Sequence, residues 1–307
     1  MNCYLGIDGG GTKTAYLLTD KDGREMATLE TDGSSYKEYS VDIVIDKIMS
    51  GIHKCLELAG IEKNELCGVA IGLPCFGESK TEDSLILEKM KVAFADIPFY
   101  LTNDVEVGWA GSLAMEQGIN VVAGTGSICF GKNSENRSAR SGGWSTFFGD
   151  EGSCYWIGRK TMELFSKQAD SRIEKGALYL LVREHFNLID DLDFIDLMER
   201  EYAPSRSKVA SLQIILLEAA RAGDASAIRL YECAAEELFA LVQGVARQLQ
   251  LEGKEFAISY SGGLFHAKEF VLPCLESKVK DIGGYLKEPM LTPVQGAALL
   301  ARKIRKE

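Results

Sequence analysis

The stretch GIDGGGTKT, residues Gly6–Thr14, holds four glycines in six positions and ends in two threonines that flank a lysine. It nearly matches two phosphate-binding motifs. However, Thr12 stands where a P-loop requires lysine, and Thr14 stands where the dinucleotide fingerprint requires its third glycine. Both motifs also need a strand followed by a helix, whereas the next residues predict a strand, a turn over 20–23 and a second strand over 25–29. The glycines therefore belong to a predicted strand–turn–strand unit, in which the backbone can turn tightly and approach a ligand closely.

Asp8 ends the apolar strand that leads into these glycines. A carboxylate in that position needs a partner or a metal ion, which favours a ligand site over a glycine-rich hairpin that binds nothing. Mg²⁺ prefers oxygen ligands and keeps several of its waters, so Asp8 is the candidate metal ligand, directly or through a water. A structural carboxylate that caps the turn is the alternative.

The composition is that of a soluble globular protein with room for two domains in its 307 residues. The net charge of −11 disfavours nucleic acid and anionic membranes as partners. No signal peptide or membrane-spanning helix is expected, because the N-terminus lacks a basic region and no apolar run reaches about 18 residues. The eight cysteines form no C-x-x-C pair, which predicts reduced core residues of a cytoplasmic protein.

The strand–glycine turn–strand pattern occurs a second time in VVAGTGSICFG, residues Val121–Gly131. Strands alternate with helical patterns around both copies, which predicts an α/β fold with a mixed sheet. A duplicated fold would bring the two hairpins to face each other across a cleft, where they could hold a polyphosphate from both sides. A later apolar strand over 256–265 contains a Gly-Gly pair that fits the same purpose.

Several motifs in family order carry a resemblance to known proteins. They are GIDGGGTKT, LTND at 101–104, AGTGS at 123–127, GGWSTFFGDEGSCYWIG at 142–158, SGGLF at 261–265, and Pro293, Gly296 and Ala297 near the end. Together they resemble the N-acetylglucosamine kinase branch of the actin, chaperone-ATPase and sugar-kinase superfamily, within the BadF/BadG/BcrA/BcrD ATPase family. The likeness runs from residue 6 to about 300 and is weakest over 165–250.

The resemblance implies a two-domain actin-like ATPase fold, which is an α/β, ribonuclease H-like, duplicated fold with ATP in a cleft between the domains. The N-terminal domain would span residues 1–117 and the C-terminal domain residues 118–291, and a final helix over 292–307 would pack back on the first domain. ATP and Mg²⁺ are the implied cofactors, an amino sugar is the implied substrate, and a homodimer is expected by analogy.

Nucleotide binding is assigned to the two hairpins and to the SGGLF loop, where missing side chains would let the adenosine lie against the backbone. The residues expected to bind ATP are Gly9, Gly10, Gly11, Thr12 and Lys13, then Gly124, Thr125, Gly126 and Ser127, and finally Gly262 and Gly263. For Lys13, a solvated hairpin lysine is the alternative to a phosphate contact.

Asp104 is by resemblance the catalytic carboxylate, which takes the proton of the sugar hydroxyl as it attacks the γ-phosphate. Asn103 and Asp104 are also plausible helix caps. The residues expected to contact the sugar are Asn103, Asp104, Thr125, Gly143, Trp144 and Asp150. Trp144 would offer a flat apolar face to a pyranose ring, with core packing as its alternative.

Two loops depart from the family pattern, residues 34–39 and 72–79, and both are expected to border the sugar. The leading interpretation is therefore an ATP-dependent kinase that acts on N-acetylglucosamine at the 6-hydroxyl, with N-acetylmuramate or glucosamine left open. An ATPase activator of a reductase of the benzoyl-CoA reductase type is the alternative, although no cysteine pair has the spacing for its iron–sulfur cluster. A nucleotide-binding regulator without turnover is a third interpretation.

Overall fold

The computed structural model describes residues 2–95 and 97–304 of the chain. The chain forms two compact units, of which the first runs to Gln117 and resumes at Glu288, and the second is Gly118–Lys287. Each unit is built on a five-stranded sheet. No helix in the described part of the chain has the length and apolar character needed to span a membrane.

The sheet of the first unit has the strand order β3-β2-β1-β4-β5. Strand β1 pairs antiparallel with β2 and parallel with β4, so a hairpin meander and a parallel region share one central strand. The elements are β1 Cys3–Gly9, β2 Lys13–Asp20, β3 Glu25–Asp32, α1 Val41–Ala59, β4 Leu66–Leu73, α2 Lys80–Phe94, β5 Phe99–Asn103 and α3 Asp104–Ser112.

The sheet of the second unit has the order β10-β9-β6-β7-β8, with β6 antiparallel to β7 and parallel to β9. Its strands are β6 Gly118–Ala123, β7 Ser127–Lys132, β8 Ser138–Gly142, β9 Phe256–Ser261 and β10 Gly284–Lys287. Its helices are α4 Cys154–Ala169, α5 Ala177–Phe186, α6 Asp193–Leu197, α7 Arg206–Ser211, α8 Gln213–Arg221, α9 Ala225–Leu249 and α10 Lys268–Lys280.

The two sheets have the same topology. Strands β1 to β5 correspond in order, pairing and direction to β6, β7, β8, β9 and β10, because each central strand begins an antiparallel hairpin on one side and a parallel pair on the other. The predicted duplicated α/β fold is therefore confirmed. The two glycine turns also occupy equivalent positions, between the first and second strand of each sheet.

Helix α1 shows how local sequence produces these elements. Ser40 caps its N-terminus by accepting a hydrogen bond from the Ile43 backbone N–H at 3.4 Å. Val44, Ile48 and Ile52 recur every four residues and are almost fully buried, so one stripe of the helix packs against the core of the first unit. The helical spacing of apolar residues over 38–60, which ends in a glycine, predicts this helix.

The closing helix α11, Pro293–Lys303, packs against β1, β4 and α3 within the first unit. Thr292 and Gln295 form a capping box at its start. Gly296 lets the helix come close to α3, because a Cβ at that position would lie only 2.2 Å from the backbone nitrogen of Gly111. Residues 305–307, which the sequence also predicts to be helical, lie outside the described residues.

Several elements differ from what the spacing of apolar residues predicts. That spacing predicts a helix over 105–118, but α3 ends at Ser112, because Ala114 and Met115 take positive φ values of 49° and 64° and turn the chain away. It also predicts one helix over 207–221, which is divided into α7 and α8. Strand β9 ends at Ser261, and a short 3₁₀ turn follows it over 263–267. The four-residue strand β10 has no counterpart in the prediction.

Candidate active site

Two carboxylates lie at one edge of the first sheet, where the parallel strands β1, β4 and β5 end. Asp8 in β1 is paired with Gly72 in β4. Gly72 also lies beside Asp104, since a Cβ on this glycine would be 3.1 Å from the Cα of Asp104. The topology thus gathers Asp8 and Asp104 around Gly72, as the carboxyl ends of neighbouring parallel strands meet at the same edge.

Both carboxylates are harder to ionise than free aspartate. Burial raises the pKa of Asp8 to about 6, against a smaller opposite effect of Lys13. Burial, and then the negative charge of Asp8, raise the pKa of Asp104 to about 7. A carboxylate with a pKa near neutrality is suited to general base catalysis. Two carboxylates that repel each other also fit a divalent cation, and Mg²⁺ commonly takes one or two carboxylates together with waters and substrate phosphates.

Asp104 is the first residue of α3, and its neighbour Asn103 caps the helix. The Asn103 side-chain oxygen accepts the Val105 backbone N–H at 3.0 Å, and its amide nitrogen donates to the carbonyl oxygen of Phe76 at 2.6 Å. The capping role that the sequence left open for both residues is therefore performed by the Asn103 side chain.

The turn of the first hairpin presents two backbone donors. The Gly10 N–H donates to the Lys13 carbonyl at 2.8 Å and closes the turn. Within the described part of the chain, the N–H groups of Gly11 and Thr12 have no acceptor. Lys13 is mostly exposed and forms an ion pair with Glu30 at 2.8 Å. Consecutive open N–H groups in a turn form an anion-binding surface.

The turn of the second hairpin repeats this arrangement. The Gly124 N–H donates to the Gly126 carbonyl at 2.9 Å, and the Gly124 carbonyl accepts the N–H of Cys154 at the start of α4, also at 2.9 Å. The N–H groups of Thr125 and Gly126 have no acceptor among the described residues. Each unit therefore carries one hairpin turn with two open donors.

The SGGLF loop lies directly against the second hairpin. Gly262 has φ +109°, and a Cβ on it would lie 2.5 Å from the backbone carbonyl of Ala123. Gly263 lies beside the Cys154 side chain, since a Cβ on this glycine would be 3.5 Å from the Cys154 sulfur. The structure thus brings together two of the segments that the sequence assigns to one nucleotide.

The segment from Gly143 to Asp150 is joined to the base of the same hairpin. The Gly143 N–H donates to the Ser127 carbonyl at 3.0 Å, and the Ser127 N–H donates to the Asp150 carboxylate at 3.1 Å. Asp150 is buried, whereas Trp144 is 75% exposed, so core packing does not explain the tryptophan. Its indole is available to a ligand.

One charged residue of this region lies outside every motif. Arg206, the first residue of α7, forms an ion pair with the second carboxylate oxygen of Asp150. It comes from the segment over 165–250, where the family likeness is weakest. Nothing in the local sequence marks it, because its partner lies 56 positions earlier in the chain.

The two loops that depart from the family pattern meet beside Asp104. The Tyr36 hydroxyl donates to the carbonyl of Cys75, and the next carbonyl, that of Phe76, accepts the Asn103 amide. Lys37 and Glu82 form an ion pair at 3.0 Å at the same place. The loops over 34–39 and 72–79 therefore form a connected rim next to the candidate base.

The duplicated sheets, the paired glycine turns and the carboxylates at the strand ends define a protein of the actin-like superfamily of ATPases and sugar kinases. The chain belongs to the BadF/BadG/BcrA/BcrD ATPase family, whose model matches residues 5–301.

Relatives of known function are similar over most of the chain. The N-acetylmuramic acid/N-acetylglucosamine kinase of Clostridium acetobutylicum is 34% identical over 271 residues, which cover 87% of this chain and 86% of that protein. The N-acetyl-D-glucosamine kinase of Dictyostelium discoideum is 30% identical over 318 residues, covering 99% and 98%. The crystal structure of a Chromobacterium violaceum protein, provisionally described as an N-acetylglucosamine kinase, has a TM-score of 0.74 at 24% identity and covers 98% and 99%. This last likeness shows the fold.

Proposed function

We propose that this protein transfers the γ-phosphoryl group of ATP to the 6-hydroxyl of an amino sugar, with N-acetylglucosamine as the first candidate. The observation that carries the proposal is Asp104, a carboxylate with its pKa raised to about 7 at the same sheet edge as Asp8, which directly precedes the first glycine turn. Membership of an ATPase family and the similarity to two amino-sugar kinases support it.

Asp104 is the general base. Its carboxylate accepts the proton of the sugar hydroxyl while that oxygen attacks the γ-phosphorus. The bond from the γ-phosphorus to the bridging oxygen then breaks, and ADP leaves with the bonding electrons. Because phosphoryl transfer asks mainly for positioning and charge stabilisation, one correctly placed base suffices for the proton.

Asp8 would hold Mg²⁺, directly or through a water. Asp8 suits a cation for two reasons. Its carboxylate is half-buried, and its negative charge repels that of Asp104, a repulsion that a cation would relieve. When bound, Mg²⁺ supplies positive charge to the phosphate oxygens. The protein's own contribution is to hold this carboxylate at the end of β1, the central strand of the first sheet.

The open N–H groups of Gly11 and Thr12, and those of Thr125 and Gly126, donate to phosphate oxygens in this proposal. Gly262 and Gly263 form the surface for the adenosine. The sugar contacts are those of Asn103, Thr125, Gly143, Trp144 and Asp150. The exposed indole of Trp144 provides the apolar face for the pyranose ring.

The test is an assay of ADP release from Mg-ATP with N-acetylglucosamine, N-acetylmuramate, glucosamine and 6-deoxy-N-acetylglucosamine. Sugar-dependent release that the 6-deoxy analogue does not support, with a 6-phosphate identified by NMR, is the expected result. Hydrolysis that ignores the sugar would favour a reductase-activating ATPase. Nucleotide binding without any turnover would favour a regulator.

We place the protein in the cytoplasm and assign it a homodimeric state as part of this proposal. Sedimentation equilibrium of the purified protein tests the oligomeric state. A monomer would disprove the homodimer and leave the proposed activity unaffected.

A further inference from the structure

An ion pair lies beside the second glycine turn. One partner, Asp150, belongs to the motif at 142–158, and the other, Arg206, belongs to no motif. The side chain of Asp150 is only 6% exposed, and its partner Arg206 is 48% exposed. Asp150 has a left-handed backbone with φ +61°, a conformation that aspartate tolerates better than most residues. The carboxylate is therefore fixed beneath the turn, with the guanidinium at the surface beside it.

The guanidinium is in contact with the turn itself. A Cβ on Gly126 would lie 2.8 Å from the Arg206 Nη2 atom and 2.6 Å from the nearer Asp150 oxygen. A side chain at position 126 would therefore displace this pair. Arg206 also lies over the Tyr155 ring, at 6.0 Å from the ring centroid, which limits its movement on another side.

Most of the hydrogen-bonding capacity of Arg206 is unused. A guanidinium has five N–H donors, and Asp150 is its only hydrogen-bond partner in the described part of the chain. The Nη2 atom lies beside Gly126, whose own N–H group has no acceptor among the described residues. Lys13 of the first hairpin, by comparison, is neutralised by Glu30. Arginine is the side chain best suited to phosphate, because its planar fork can donate two parallel hydrogen bonds.

We infer that Arg206 binds the phosphate chain of the nucleotide at the second hairpin turn, and that Asp150 holds its guanidinium there. The inference rests on the proposed function, in that it takes the bound ligand to be ATP. The chain has a net charge of −11, so binding of a polyanion requires positive charge at the binding site itself. In this inference Arg206 supplies that charge in the second unit.

The experiment measures the affinities of Mg-ATP, Mg-ADP and adenosine by calorimetry, without sugar, for the wild type and for Arg206→Gln. We expect Arg206→Gln to weaken ATP and ADP binding at least about tenfold, since a charged hydrogen bond is lost, and to leave adenosine unchanged. Arg172→Gln is the matched control. It removes another exposed arginine of the same unit, paired with Asp170 at 2.8 Å, and should change none of the three affinities.

Asp150→Asn tests the positioning role of the carboxylate. The variant keeps an oxygen that can accept the Ser127 N–H but loses the charged partner of Arg206, so ATP affinity should fall less than in Arg206→Gln, with adenosine affinity unchanged. If Arg206 served only to fix Asp150 and the turn, Arg206→Gln would weaken adenosine and ATP equally. That result overturns the inference.

Arg206→Lys keeps the proposal testable if Arg206→Gln does not fold. It retains the charge without the fork, so ATP affinity should fall less than in a neutral variant while adenosine affinity is unchanged. A wild type that binds no nucleotide would disprove the proposed function itself. A wild type that binds ATP, with arginine variants that bind it equally well, would disprove only the role of Arg206.

Discussion

Asp8 and Asp104 lie at the same edge of the first sheet, both next to Gly72, and the charge of Asp8 helps to raise the pKa of Asp104 to about 7. In the proposed function this edge serves two purposes. Asp8, at the end of the central strand, holds a cation, and Asp104, at the start of α3, takes a proton. A cation at Asp8 would lower the pKa of Asp104, so metal binding prepares the base for use.

The first prediction concerns the base. Asp104→Asn should lower kcat at least about 100-fold, because an amide cannot accept the hydroxyl proton, while ATP affinity changes little. Asp46→Asn removes an exposed carboxylate from α1 of the same unit and should leave kcat unchanged. Steady-state kinetics and calorimetry measure the two effects, and near-normal turnover in Asp104→Asn would remove this residue from the role.

The second prediction concerns pH. Asp104 must be ionised to act, and its pKa is raised to about 7 in the protein without a cation, so kcat/KM for the sugar should rise about tenfold per pH unit below the pKa of this group and level off above it. Because a cation at Asp8 lowers this pKa, the midpoint at saturating Mg-ATP should lie between about 4, the value of an ordinary aspartate, and 7. A pH profile at saturating Mg-ATP, with buffers of constant ionic strength, checks the slope and the midpoint. A midpoint no higher than that of an ordinary aspartate would contradict the assignment.

The third prediction concerns the metal. Asp8→Asn should raise the Mg²⁺ concentration needed for half-maximal activity by about 10- to 100-fold, since the variant loses a charged oxygen that holds the ion or its water. The affinity for ATP measured in EDTA should be the same in variant and wild type. An unchanged Mg²⁺ requirement would show that the ion is held elsewhere.

The sequence predicts the features of this protein that depend on neighbours in the chain. Glycine turns between apolar strands are local signals, and so the hairpins before Lys13 and Ser127 are found where they are expected. The end of α3 is a different case. Ala114 and Met115 adopt left-handed conformations that alanine and methionine rarely take, and nothing in their identity signals this.

The ion pair of Asp150 with Arg206 shows that a contact between residues distant in the sequence cannot be predicted from local patterns. Its two residues are separated by several helices in the sequence, and they meet because α7 packs against α4, which begins just after Asp150. Periodicity can place Arg206 near a helix start but cannot say which carboxylate it faces. The roles of Asp8, Asp104 and the glycines in binding and catalysis stay predictions until the variants are measured.

The fourth prediction tests the packing of the closing helix. Gly296→Ala should lower the free energy of unfolding by about 1–3 kcal/mol, because the added methyl group meets the Gly111 backbone at 2.2 Å and pushes α11 away from α3. Gly244→Ala in α9 is the matched control. Its new Cβ meets only the Ser141 side chain, so the better helix propensity of alanine should leave stability equal or higher. Equal urea midpoints for the two variants would contradict the contact.

The fifth prediction links the base to stability. An aspartate whose pKa is about 7 in the folded protein and near 3.8 otherwise binds its proton more tightly when folded. Between those values the folded state holds more protons than the unfolded state, so stability falls as pH rises, and the full loss of stability is present above pH 7.

Asp104→Asn removes this loss of stability. It should therefore be more stable than the wild type by about 1–3 kcal/mol at pH 8, after allowance for solvent screening, and by less at pH 5. Paired thermal scans at the two pH values, with Asp46→Asn as control, measure the difference. A stability gain that is the same at both pH values would show that the pKa of Asp104 is not raised in the folded protein.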